Sequence, residues 1–237
     1  NMKKIMNEID QRNGLILEAI HCDKNGNEFP VEISTRTIIM DKKKYYQSII
    51  RNITERKNFE KKIINLNRIY AVLSNINQLI VRERNEEKIF KQVCDIAVEY
   101  GKFKLVWVGL VIDNSDKTRI EIKHFSGNQN ILYKNFLNKI EQELKNAYES
   151  DALTASAVKN RNFAFCNDIE NDRRKIIGKE EALKLGLKSF TSFPLIVFNK
   201  IYGVINFYSD EIEFFDEQEI KLLNELSKDI SFAIEFT

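Results

Sequence analysis

The sequence predicts an α+β protein, with antiparallel sheets flanked by helices and one long helix between two sheet-forming regions. Three observations carry this expectation. Alternating apolar patterns bounded by turn residues run through residues 15–53, and strand-like runs recur at 102–127 and 189–209. A heptad-like apolar pattern without Gly or Pro covers 54–84. Amphipathic helical stretches then surround the second sheet region. The expected divisions are therefore 1–53, 54–84 and 85–237.

Residues 2–12 read as a short helical stretch. Leu15 to His21 is a first strand, and Asn25-Gly26 in "DKNGNE" is a hairpin signal because both residues tolerate positive φ. Phe29 to Ile39 alternates as a second strand, and "MDKKK" turns into a third from Tyr45 to Ile53. Such a meander is too small to bury a core on both of its faces, so its apolar face is expected to lie against something else, a second copy being favoured.

Thr54 is the expected N-cap of the long helix, with Glu55 in its first turn. Phe59, Ile63, Leu66, Tyr70, Leu73, Asn77 and Ile80 fall on one heptad seam. A parallel dimer is expected there, and Asn77 is the polar seam residue that fixes register. Ile69, Val72, Ile76 and Leu79 widen the apolar surface, which suits a helix that also grips its own domain.

In the last region "NEEKIFKQVCDIAVEYG" is a helix with Gly101 at its C-cap. "KFKLVWVGLVID" and "TRIEIKHFSG" are strands joined by a turn at "NSDK". Helices follow at 129–149 and 151–160, then the strand "FAFCNDI" and a short helix in "GKEEALKLGLK". "SFTSFPLIVFN" and "IYGVINFYS" form a hairpin near Asn199-Lys200. Asp216 caps the last helix, and Glu219 makes a capping-box-like partner.

Composition narrows the classes. Lys and Arg number 37 against 35 Asp and Glu, leaving a net charge of +2. That balance supplies no electrostatic reason to expect nucleic acid. No apolar run approaches the roughly 20 residues that span a bilayer. Cys22, Cys94 and Cys166 are widely spaced, which favours reduced thiols and a cytoplasmic setting over a disulfide framework or zinc site.

Two stretches resemble known families. "DKNGNEFPVEIS" and "YYQSIIRNITERK" are similar to the C-terminal half of a PAS domain, over residues 15–57. Asn52 stands where that family usually has Asp. The resemblance implies a partial domain without its ligand pocket, belonging to a longer signalling protein. "LVWVGLVID", "NFAFCNDIEND" and "LGLKSFTSFPLIVFNKIYGVINFYSDEIEFFDEQEIKLLNELSKDISFAIE" resemble the GAF family, over roughly 68–236. That resemblance implies a six-stranded antiparallel sheet with a small-molecule pocket on one face, or a domain that only passes signals. Many relatives carry a Gly-Pro-x-Gly-x-Ala run where this chain has "ALTASA" at 152–157, which argues for a filled or altered pocket.

The candidate pocket residues are Trp107, Asn167, Asp168, Phe190, Ser192 and Tyr208. Trp107 is also a natural core residue, Asn167 and Asp168 suit a turn or helix cap, and Cys166 suits a small buried position. His21 and His124 lack partners at ligand spacing. No haem, bilin or metal signature is present, so the cofactor is unknown. No phosphate loop, kinase box or nucleophile elbow occurs either. The expected function is a non-catalytic sensory and relay region of a homodimeric signalling protein of histidine-kinase or cyclic-dinucleotide-enzyme type. A small molecule would bias its paired helices and a downstream output domain would feel the change. The alternatives are a purely structural dimerisation module with a collapsed pocket, or an enzyme like the GAF-type domains that reduce methionine sulfoxide. The separation of the three cysteines weighs against the enzyme.

Overall fold

The computed structural model describes residues 2–114, 117–128 and 130–237, so the expected turn at 114–117 and helix start at 129 lie partly outside it. The chain divides into two compact units, Asn1–Asn65 and Leu66–Thr237.

The first unit contains α1 (Met2–Arg12), β1 (Leu15–Cys22), β2 (Glu28–Met40) and β3 (Lys43–Asn52), followed by the start of α2 (Thr54–Arg82). The strands form one antiparallel sheet in the order β1-β2-β3. Asp41 and Lys42 both take positive φ and close the β2–β3 hairpin in two residues. The Asn25-Gly26 signal lies in a five-residue loop instead, between the paired Cys22 and Glu28. There the Asp23 carboxylate accepts the backbone N–H groups of Asn25 and Asn27. α1 is fastened to the sheet by Asp10, which accepts from the Tyr46 hydroxyl and pairs with Lys44. Ile16, Ile20 and Ile49 remain exposed on one sheet face.

Thr54 is not the N-cap of α2. The Ile53 carbonyl accepts the Lys57 N–H, which makes Ile53 the capping position, and the Asn52 side chain accepts the Thr54 N–H at 2.9 Å. The Asn that departs from the PAS pattern therefore makes the helix-start contact itself. Arg56 and Lys57, one turn on, reach Glu18 and Glu32 of the sheet.

The second unit holds the rest of α2 with α3 (Glu86–Gly101), β4 (Leu105–Asn114), β5 (Lys117–Gly127), α4 (Ile131–Glu143), α5 (Leu153–Asn160), β6 (Ala164–Cys166), α6 (Lys179–Lys184), β7 (Ser189–Val197), β8 (Lys200–Ser209) and α7 (Glu217–Glu235). Among the described residues its antiparallel sheet has five strands, ordered β5-β4-β8-β7-β6, rather than the six expected. Alternation along β4 sends Val106 and Val108 to one face and Leu105 and Trp107 to the other. The first face packs Ile69, Val72, Ile76 and Leu79 of α2, Val93 and Ala97 of α3, and Leu223 and Leu226 of α7. The second packs α4, α5 and α6 through Phe136, Ala155 and Ala182.

Gly101 was expected to cap α3, yet the left-handed residue is Lys102, at φ 57°. Gly101 is needed inside the helix, because a Cβ there would meet the Phe103 ring at 2.6 Å and Val72 at 3.0 Å. Asn85 caps the other end of α3 through the Lys88 N–H at 3.0 Å.

β7 continues past the three-residue β6, and its open edge is closed by side chains. Pro194 has no N–H to leave unpaired. The Ile196 N–H donates to the Ser231 hydroxyl at 3.0 Å and the Phe198 N–H donates to Glu235 at 2.7 Å. These bonds also hold the C-terminal half of α7 against the sheet edge.

Candidate functional site

Four of the six residues predicted for the pocket share the α4–α6 face of the sheet. Trp107 on β4, Ser192 and Phe190 on β7, and Tyr208 on β8 are all buried there. The Phe190 and Tyr208 rings stack at 5.2 Å, and Phe136 of α4 meets Tyr208 edge-on at 5.8 Å. Asn167 and Asp168 go elsewhere. Asn167 donates to the Phe215 carbonyl and accepts the Phe215 N–H, pinning that loop. Asp168 accepts the backbone and side-chain N–H groups of Asn171, a local turn.

Two residues not anticipated complete the face. Asn206 lies opposite Trp107 on β4 and opposite Ser192 on β7, so three adjacent strands carry one row: Trp107, Asn206, Ser192. Thr154, from the altered "ALTASA" run, comes down from α5 onto this row. Its hydroxyl lies 3.1 Å from the Ser192 hydroxyl and donates to Asn206 Oδ1 at 3.3 Å. Ser192 donates to the same Asn206 oxygen. The Asn206 Nδ2 and Trp107 Nε1 donors are buried without a hydrogen-bond partner. Burial drives the Tyr208 hydroxyl's pKa up, with neighbouring Trp107 acting weakly in the opposite direction. α5 has no side-chain N-cap bond of its own. The one signal in the sequence was an Asn within the apolar run "VINFY" of β8.

A buried ion pair lies on the opposite face. Arg68 of α2 donates from Nη2 to Glu219 Oε1 of α7 at 2.6 Å, with the two side chains only 9% and 4% exposed. Its Nη1 donates to the Gly101 carbonyl at the end of α3. The guanidinium also sits 4.4 Å from the Phe214 ring centroid and 5.3 Å from that of Phe103. The capping box is consequently half made: Asp216 accepts the Glu219 N–H at 2.8 Å, but the Glu219 carboxylate turns to Arg68. Burial pushes the Glu219 carboxyl up to about 7; Arg68 opposes this, while Asp216 and Glu211 add to it.

The expected dimer seam is divided in the single chain. Phe59, Ile63 and Tyr70 are 65%, 57% and 53% exposed, and Asn77 is exposed as well. Leu66, Leu73 and Ile80 are partly buried against the core of their own unit.

Cys94 and Cys166 are buried in separate cores and Cys22 is exposed. Burial, with an Asp172 hydrogen bond adding to it, pushes the Cys166 thiol up to about 12, and burial also raises Cys94. Among the described residues no group of three or more His, Cys, Asp or Glu is placed to hold a metal, and no helix is long and apolar enough to cross a membrane.

A five-stranded antiparallel sheet with α2, α3 and α7 on one face and α4–α6 over a polar row on the other defines an α+β domain built on one sheet with helices on both faces. Residues 83–235 match the GAF domain family model, and the chain belongs to the GAF family. At that level it is a sensory and regulatory domain.

No curated protein matches the chain significantly. Solved structures share its fold. Free methionine-R-sulfoxide reductase from Neisseria meningitidis, in complex with its substrate, superposes with TM-score 0.55 at 18% identity, over 70% of this chain and 88% of that one. The GAF domain of a phosphoenolpyruvate-protein phosphotransferase from Coxiella burnetii gives 0.55 at 16% identity, over 72% and 94%. Reduced fRMsr of Staphylococcus aureus gives 0.50 at 16% identity, over 70% and 94%. The two reductases correct the expectation that the chain is not an enzyme, because enzymes are built on this same fold. Spacing of cysteines along the sequence was no basis for excluding activity.

The Glu219 carboxyl predicts a pH dependence. The folded state holds its proton up to about pH 7, and the unfolded state releases it near 4.5. Between those values the folded state binds more protons, so this group's contribution to stability falls as pH rises. Urea unfolding followed by Trp107 fluorescence should show the native protein losing stability relative to Glu219→Gln between pH 5 and pH 7.5. Parallel pH profiles would contradict the assignment.

Proposed function

We propose that the GAF unit receives a small molecule on its α4–α6 face and passes the change to α2 and α7 on the other. The carrying observation is that β4, β7 and β8 bear both devices. One side of these strands presents the incompletely bonded row of Trp107, Asn206 and Ser192. The other side packs the helices that Arg68 and Glu219 join. A shift of these strands toward an occupant of the first face changes the seat of α2 and α7 on the second. Closely packed interiors transmit such displacement rather than absorb it.

In this reading residues 1–53 are the C-terminal half of a PAS domain, an upstream input, and α2 leads from it. The three-stranded meander, with the Asn52 contact at the start of α2, supports this reading. The exposed apolar residues Phe59, Ile63 and Tyr70 support pairing of α2 with a second copy, and α7 leads toward an output domain.

Hydrogen exchange tests the relay. Thr154→Leu and Thr154→Trp wedge α5 away from the row. Protection should fall in α2 over Leu66–Arg82 and in α7, as well as in α4–α6. A change confined to α4–α6 would contradict the relay. Sedimentation tests the pairing: the native chain should be a dimer, and Phe59→Glu with Ile63→Glu should make it a monomer. A native monomer at micromolar concentration, or a dimer indifferent to both charges, would overturn it.

A further inference from the structure

We infer that the molecule received on the α4–α6 face is an uncharged planar carbonyl compound, of the cyclic-amide kind, and that Thr154 occupies its place in the present structure. This inference rests on the reading of that face as the receiving one.

The polar atoms come first. Asn206 and Trp107 are cross-strand partners, and each leaves one buried N–H donor without a bond. Two neighbouring donors of this kind suit a single acceptor oxygen, because an unsatisfied buried donor costs more free energy than its hydrogen bond is worth in water. The hydroxyl groups of Ser192 and Thr154 stand beside them and can donate or accept. Such a row recognises a carbonyl next to an N–H.

Size and shape follow from the sheet. The row crosses β4, β8 and β7, neighbouring strands being about 4.8 Å apart, so it spans roughly 10 Å. That length fits one or two fused rings. The walls are flat: the indole of Trp107, the stacked rings of Phe190 and Tyr208, and Phe136 edge-on to them. Aromatic walls favour a planar occupant that stacks on them.

Charge is excluded by what the face lacks. Among the described residues the buried polar side chains are Ser, Thr and Asn, apart from Glu219, which lies on the opposite face with Arg68. An anion would enter this core without any buried cation to pair with, and a cation would enter without a buried anion.

Thr154 is the internal surrogate. Its hydroxyl meets the two polar groups that such a ligand would use, and it is carried by an eight-residue helix whose N-terminus has no side-chain cap. Lifting α5 exposes the row. The ligand then replaces the bonds of Thr154 and also satisfies the two donors that Thr154 leaves unpaired.

Trp107 is the only tryptophan of the chain, so its fluorescence reports the site directly. The probes are uracil, an uncharged planar cyclic imide, and benzoate, an anion of similar size. Uracil should change Trp107 emission saturably and benzoate should not. Thr154→Val, which removes the competing hydroxyl and keeps the shape, should bind uracil about tenfold more tightly, the equivalent of one net hydrogen bond. Asn206→Leu should abolish binding, and Ser192→Ala should weaken it if the first variant fails to fold. Benzoate binding as tightly as uracil would overturn the chemical class while leaving a receiving face. Neither probe binding to the native protein or to Thr154→Val would overturn the inference. The hydrogen-exchange comparison of the wedge variants decides the relay separately.

Discussion

Arg68 is the side chain on which the arrangement of the second unit depends. Its guanidinium holds the carboxylate of Glu219 at the start of α7, the last carbonyl of α3 and the faces of Phe103 and Phe214. Each partner sits where a helix places it usefully. The carboxylate lies at the positive end of α7, and the cation lies at the negative end of α3. Burying the pair is still expensive, and the upward shift of Glu219 shows that burial outweighs the attraction of Arg68 for that group. What the pair supplies is placement. Removing one partner leaves a buried charge alone, so α2, α3 and α7 are constrained to meet at one point.

The other constraints of the unit gather around this point. Gly101 is needed inside α3 because Phe103 and Val72 approach so closely, and that same approach brings the Gly101 carbonyl to Arg68. α7 is held at its start by Asp216 and Glu219 and near its end by the bonds of Ser231 and Glu235 to the edge of β7. A helix tied to the edge of β7 near its end, and to α2 at its start, is coupled to movement of that strand. The polar row on the far side of that strand is therefore mechanically close to α7, although the sheet lies between them.

Much of this was legible in the sequence where a local rule governs. Strand-like runs were read for all eight strands, and Asp216 was read as the cap of α7 from backbone chemistry that acts within a few residues, whereas the Asn25-Gly26 hairpin signal lies in a longer loop. Legibility failed where tertiary packing overrode those rules. Gly101 reads as a cap, but the cap falls on Lys102 because ring packing needs the glycine one position earlier. Glu219 reads as half of a capping box, but a buried arginine claims it. Arg68 reads as one more solvated charge on a helix, since nothing near it in sequence announces Phe103 and Phe214. Of the residues proposed for the site, Phe190 and Ser192 share the face that strand alternation assigned them, and Trp107 and Tyr208 are buried on that same face. Asn206 was missed because a lone Asn in a strand carries no motif, and Thr154 because its partners lie on strands distant in sequence.

The central claim is that Arg68 and Glu219 act as one unit. A double-mutant cycle tests it, using Arg68→Met and Glu219→Gln in urea unfolding at pH 8.5, followed by Trp107 fluorescence. Each single change should destabilise the unit by about 3 kcal/mol, because the remaining polar group is left buried and unpaired. The double variant should lose less than the sum of the two, with a coupling of about 1–3 kcal/mol. Two losses that simply add, or single changes that cost nothing, would contradict the account.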